Sequence, residues 1–158
     1  MRSIKVLTVC LGNICRSPAA QGILEYAAAS RKGIDLQLDS AGTAAYHIGS
    51  KPDPRSIAAL KKRSIDIGYQ QARQVNNDDF AYFDWILAMD ESNYQHLIAM
   101  CPEPYKNKIL LFGSLPNSPS LGEVNDPYYD GEKSFEVMVD HLMALSDNFL
   151  AFLDSSSK

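Results

Sequence analysis

Apolar, largely β-branched residues crowd positions 4–9 and stop at the turn-prone stretch CLGNICRS, residues 10–17. A short apolar run bounded in this way reads as a buried strand. Pro18 suits the first turn of a helix, and the alanine-rich residues 19–29 continue it. Residues 36–38 read as a second strand that ends in the turn-prone Asp39-Ser40-Ala41-Gly42. After a break at Pro52-Asp53-Pro54, Ile57, Leu60 and Ile65 recur at helical spacing, and Gly68 closes the segment. Residues 85–89 form a third strand candidate, and Asp90-Glu91-Ser92 suits a helix start before Tyr94, Leu97 and Ile98. Residues 109–112 read as a fourth strand. A loop rich in Pro, Ser and Gly then runs from 116 to about 131, ahead of an amphipathic helix carrying Phe135, Val139, Leu142, Leu145, Phe149 and Phe152.

Strands alternating with helices predict an α/β fold: a single domain over residues 1–158, with a four-stranded parallel sheet covered by helices on both faces. Sheets of this kind place their sites at the carboxyl ends of strands, which is where CLGNICRS falls. A chain of 158 residues can bury a core without disulfides or a structural metal. Hydrophobic residues at 46% and charged residues at 22% fit an ordinary globular protein.

The formal net charge of -4 argues against a nucleic-acid partner, since phosphate-backbone binding calls for a basic surface. No apolar run is long enough to span a bilayer, and the brief one after Arg2 does not read as a secretory signal. Cys10, Cys15 and Cys101 are too few and too odd in number for a disulfide framework, so a reducing cytoplasm is the expected setting. Three scattered histidines and no CxxC give no metal site.

The chemistry concentrates in the first loop. A loop that leaves a strand and enters a helix can aim several backbone N–H groups at one spot, and the helix N-terminus adds partial positive charge. Gly12 and Asn13 relax the backbone for such a turn, and Arg16 offers a planar pair of donors matched to two phosphate oxygens. A cysteine beside an arginine and a helix N-terminus is favoured as thiolate, which makes Cys10 a candidate nucleophile at the floor of an anion site. Taken singly, Cys10 could be a buried structural thiol, Arg16 a surface charge, Ser17 a helix cap or a partner of the thiolate, and Asp126 a turn residue before Pro127. The GxxxxGK[ST] pattern of nucleotide-binding loops is absent.

VCLGNICRSP, residues 9–18, resembles the signature of the low-molecular-weight protein tyrosine phosphatases, and Asp126-Pro127-Tyr128-Tyr129 resembles that family's distal acid loop. The likeness continues through Asp53-Pro54-Arg55, Ala72-Arg73-Gln74-Val75 and Ala88-Met89-Asp90-Glu91-Ser92-Asn93, and so covers nearly the whole chain. The resemblance implies a phosphatase acting on phosphotyrosine-containing proteins without cofactor or metal. In it Cys10 is the nucleophile, Arg16 and the loop residues Leu11, Gly12, Asn13, Ile14, Cys15 and Ser17 cradle the phosphate, and Asp126 acts as acid and later base. It further implies that Asp90 orients Arg16, although the same residue reads equally as a helix cap, and that Tyr46, His47, Tyr128 and Tyr129 wall the substrate slot.

Tyr46 stands where many members carry tryptophan, and Gln70 near where some carry histidine. Cys15 reads either as a resolving thiol for Cys10 or as a small side chain packing the loop, whereas Cys101 reads as structural. Within the same fold family, arsenate reductases would want further redox cysteines. Protein arginine phosphatases carry threonine where this chain has Ile14. A phosphoprotein-binding module would capture the anion without turning it over.

Overall fold

The first apolar run pairs on both of its edges. In a computed structural model that describes residues 2–156, β1 (Arg2–Cys10) lies parallel to β2 (Ile34–Gly42) on one side and to β3 (Trp85–Ala88) on the other. β4 (Ile109–Leu111) continues beyond β3, which makes the strand order β2-β1-β3-β4, all parallel, as expected. Of the expected single domain 1–158, Met1, Ser157 and Lys158 lie outside the described residues.

Side chains alternate along a strand, and β1 uses both faces: Ile4, Val6 and Cys10 enter one buried cluster, Leu7 and Val9 another. The first face is covered by α1 (Arg16–Ala29), α2 (Pro54–Lys61) and α5 (Glu132–Ser156), the second by α3 (Asn77–Tyr82) and α4 (Glu91–Met100). α5 is anchored by Phe135, Val139, Leu142, Leu145 and Phe149, all buried and spaced by three or four residues. Each such side chain contributes roughly 1.5–3 kcal/mol of burial, so α5 is fixed by its stripe rather than by helix propensity.

Two sequence expectations are corrected, and one helix falls where none is expected. Residues 39–42, read as a turn, continue β2. Their pairing with β1 runs unbroken from Leu7↔Asp39 to Cys10↔Gly42, and Gly42 also bridges to Gln74 on its other side, so ladder pairing with β1 overrides local turn preference. The helix after Pro54 stops at Lys61 rather than near Gly68. Ser64 takes a left-handed φ of 63°, and Ser64 and Ile65 donate back to the carbonyls of Lys61 and Leu60, closing the helix without a glycine. α3 is that helix: Asn76 and Asp79 form a reciprocal capping box, a start signal that the sequence displays.

From β1 the chain moves to β2 on one side, then crosses back to β3 on the other. The carboxyl ends of β1 and β3 therefore meet at a reversal of strand order, the usual position for a ligand crevice in such sheets. Met89 N–H donates to Val9 O at 3.1 Å, which brings Cys10 and Asp90, the residues that follow them, to the same edge.

Candidate active site

The loop from Cys10 to Arg16 is shaped from outside. The carbonyls of Cys10 and Leu11 accept from Thr43 N–H and Ala44 N–H, each at 2.9 Å. The carbonyl of Ile14 accepts from Asp53 N–H at 2.7 Å, and that of Cys15 from the Ser56 hydroxyl at 3.2 Å. No peptide bond in the described chain is cis, and in a trans peptide C=O and N–H point opposite ways. The N–H groups of Leu11, Gly12, Cys15 and Arg16 are thus turned away from these partners, which concentrates donors on the inner side of the loop. Asn13 makes the turn at φ 59°. Its side chain donates to Ser17 Oγ at 2.8 Å and Ser40 Oγ at 2.9 Å, and accepts from Arg73 N–H at 2.9 Å. Ser40 Oγ donates in turn to Gln70, whose amide reaches Pro18 O at 3.1 Å.

The loop lies directly on the end of β2. A Cβ at Gly42 would sit 2.7 Å from Leu11 O and 3.1 Å from Asn13 N, both backbone atoms. Gly42→Ala should therefore displace the loop, costing roughly 1–3 kcal/mol as overpacking does. The expected result is a lowered melting temperature together with weakened binding of inorganic phosphate. Unchanged phosphate affinity would show that the loop does not depend on this contact. Gly12 does not serve the purpose expected of it, since it lies outside the left-handed region; a Cβ there would meet the His47 side chain, Cδ2 at 3.0 Å, which would have to give by a few tenths of an ångström.

Cys10 ends β1, is 2% exposed, and has its Sγ 3.1 Å from Ser17 Oγ. Ser17 is not the helix cap. It lies inside α1, whose N-cap is Cys15 with no side-chain cap bond, so the hydroxyl remains for the thiol and for Ala41 O. Arg16 is 3% exposed and donates through Nη1 to Asp90 Oδ2 at 2.6 Å and to Val124 O at 3.2 Å, while its Nη2 lies 3.6 Å from Asp126 Oδ2. Burial would lower its pKa, but Cys10, the hydrogen bond with Asp90 and the charges of Asp90 and Asp126 raise it above the ordinary arginine value. Asp90 takes both of the roles open to it: Oδ2 holds Arg16 while Oδ1 caps α4 by accepting from Asn93 N–H at 2.8 Å. Burial, reinforced by Asp53, Cys10 and Asp126, pushes the Cys15 thiol far above its usual range.

A cavity of about 100 Å³ opens over this floor. Its lining includes Cys10, Leu11, Gly12, Ile14, Cys15 and Arg16 from the loop, with Asp126, Tyr46, His47, Tyr128 and Tyr129 around the mouth. Asn13 and Ser17 sit beneath the loop, and Asp90 behind Arg16. The wall rings touch in sequence: Tyr46 on His47 at 6.4 Å between centroids, His47 on Tyr128 at 6.2 Å, and Tyr128 edge-on to Tyr129 at 4.9 Å.

Beyond the expected set, Ser40 and the Arg73 N–H hold Asn13, and Val124 O holds Arg16. Arg55 donates to Tyr128 O at 2.9 Å and Asp130 O at 3.2 Å. Among the described residues no group of three or more His, Cys, Asp or Glu is placed to hold a metal ion, and no helix is long and apolar enough to cross a membrane.

Residues 5–158 match the family model described as low molecular weight phosphotyrosine protein phosphatase. A protein of that description from Schizosaccharomyces pombe is 40% identical over 153 residues, covering 94% of this chain and 96% of its own. A putative low molecular weight protein-tyrosine-phosphatase from Synechocystis is 43% identical over 153 residues, covering 95% and 96%. Among solved structures, a protein tyrosine phosphatase from Entamoeba histolytica with Hepes in the active site superposes with a TM-score of 0.86 at 38% identity, covering 98% of this chain and 99% of that one.

Proposed function

Because the chain belongs to the low molecular weight phosphotyrosine protein phosphatase family, we propose that it hydrolyses phosphotyrosine in proteins through a phosphocysteine on Cys10, with Asp126 as general acid and then base. The observation that carries this reading is that Cys10 and Asp126, far apart in sequence, line one cavity together with Arg16, whose Nη2 lies 3.6 Å from Asp126 Oδ2. Cys10 Sγ attacks phosphorus while the phenolic oxygen leaves. Arg16 and the inward loop amides hold the three equatorial oxygens as their charge redistributes. Asp126 gives its proton to the departing phenolate, then takes one from the water that attacks phosphorus and frees Cys10. Ser17 Oγ, within reach of Cys10 Sγ, donates to the thiolate as it is regenerated. The ring wall of Tyr46, His47, Tyr128 and Tyr129 suits the flat face of a phosphorylated tyrosine better than a shorter phosphoserine. Rates on phosphotyrosine, phosphoarginine and arsenate, measured in chelator, test the reading. Phosphotyrosine should dominate, and a preference for either of the others would overturn it.

A reducing, cytoplasmic setting belongs to the same proposal, resting on cysteines too few for a disulfide framework, and Cys15 lines the same cavity as Cys10. Under peroxide the Cys10 thiolate becomes a sulfenic acid, and the Cys15 thiol displaces water from it to form a disulfide. Cys15→Ser should turn over substrate within a few-fold of the native rate, yet fail to regain activity with dithiothreitol after peroxide, where the native protein recovers. Equal recovery of both would leave Cys15 a packing residue.

A further inference from the structure

We propose that Arg55, gripped by Asp53, is a positioning residue that ties the acid segment to the anion loop and so sets the reach of Asp126; this rests on the reading of Asp126 as general acid. The tie starts in the loop, where Asp53 N–H donates to Ile14 O at 2.7 Å. Asp53 caps α2 by accepting from Arg55 N–H at 2.9 Å, and its two oxygens take Nε and Nη2 of the same arginine, each at 3.0 Å. That paired grip fixes the plane of the guanidinium. The remaining donors point across to the acid segment, Nη2 to Tyr128 O at 2.9 Å and Nη1 to Asp130 O at 3.2 Å. The cation also lies 4.5 Å from the Phe135 ring centroid and 5.6 Å from that of Tyr128.

The segment has a second anchor at its other end. Val124 N–H donates to Met89 O at 2.9 Å, and Val124 O accepts from Arg16. Asp126 hangs between the two anchors, 39% exposed, and its Oδ1 accepts the Tyr128 N–H at 3.1 Å, a donor on the very residue whose carbonyl Arg55 holds. A carboxyl this open to solvent keeps one orientation only if its backbone is held, and a misplacement of about 1 Å at a reacting group can cost on the order of 10²-fold in rate. Both anchors lead back to the anion loop, one through Arg16 and one through Asp53, so loop and acid are set against each other.

The test is kcat/KM for aryl phosphates whose phenols run from acidic (p-nitrophenol) to basic (phenol). Removing Arg55 alone would strand the buried Asp53 carboxylate, so the variants are Arg55→Lys and the paired Asp53→Asn/Arg55→Gln, each alone and combined with Asp126→Asn. Lysine keeps a charge for Asp53 but lacks the fork that reaches both carbonyls, so it carries the test even where the paired variant does not fold. The expected loss grows with leaving-group basicity, from within roughly 3-fold for p-nitrophenyl phosphate to roughly 10–100-fold for phenyl phosphate, with no further loss once Asp126 is asparagine. Equal losses for all esters, or a full additional loss on the Asp126→Asn background, would overturn the proposal. Failure of the acid reading shows itself separately, as no leaving-group dependence in Asp126→Asn alone.

Discussion

Cys10→Ser should fold, bind phosphate and turn nothing over. A serine hydroxyl is un-ionised at neutral pH, whereas the chemistry needs an anionic sulfur aimed at phosphorus, so the expected fall in kcat is at least roughly 10⁴-fold. The substitution removes little else: the side chain is 2% exposed at the end of a fully paired strand, and an oxygen there still reaches Ser17 Oγ. Arg16, Asp90 and the outward-bonded carbonyls that shape the loop are untouched. Steady-state hydrolysis of p-nitrophenyl phosphate in chelator should therefore drop to background, with no burst of nitrophenol, while phosphate binding stays within a few-fold of native. Used as a trap, the same variant should enrich phosphotyrosine proteins. Substantial turnover by Cys10→Ser would sink the covalent route.

What could be read in the sequence is what acts locally. The run 4–9, the turn after it and Pro18 inside the next helix each depend on neighbours in the chain, and all stand where expected. Asp90 shows the limit. Its position before Glu91 and Ser92 marks a helix cap, and only the approach of β3 to β1 reveals that the carboxylate's other oxygen is spent on Arg16. Arg55, Ser40 and the backbone of Arg73 carry no local signal of a role, since each reaches the site through partners 27 to 75 residues away in sequence. Residues 39–42 misled for the same reason in reverse. Asp, Ser and Gly favour turns when nothing else binds them, and here β1 pairs the whole stretch while Gln74 bridges Gly42 at its end.

Asp126→Asn should separate the esters by their leaving groups. Phenol departs as a strongly basic oxyanion unless a proton arrives with bond cleavage, whereas p-nitrophenolate leaves almost unaided. The loss should be roughly 10²–10⁴-fold for phenyl phosphate and far smaller for the nitrophenyl ester in the first step. The geometry fits both halves of the task. Asp126 stands at the cavity mouth, 3.6 Å from Arg16 Nη2, with one oxygen steadied by Tyr128 N–H and enough exposure to admit the water that follows the phenol out. Asparagine keeps the size and the acceptor oxygen but can neither give nor take the proton. Its second consequence is thus distinct from the first: hydrolysis of the phosphocysteine loses its base, and the intermediate accumulates. With p-nitrophenyl phosphate the variant should release one nitrophenolate per enzyme in a fast burst and then turn over slowly, and rapid acid quench should trap phosphate on Cys10. Equal slowing of good and poor leaving groups, with no burst, would remove Asp126 from both steps and leave it a turn residue before Pro127.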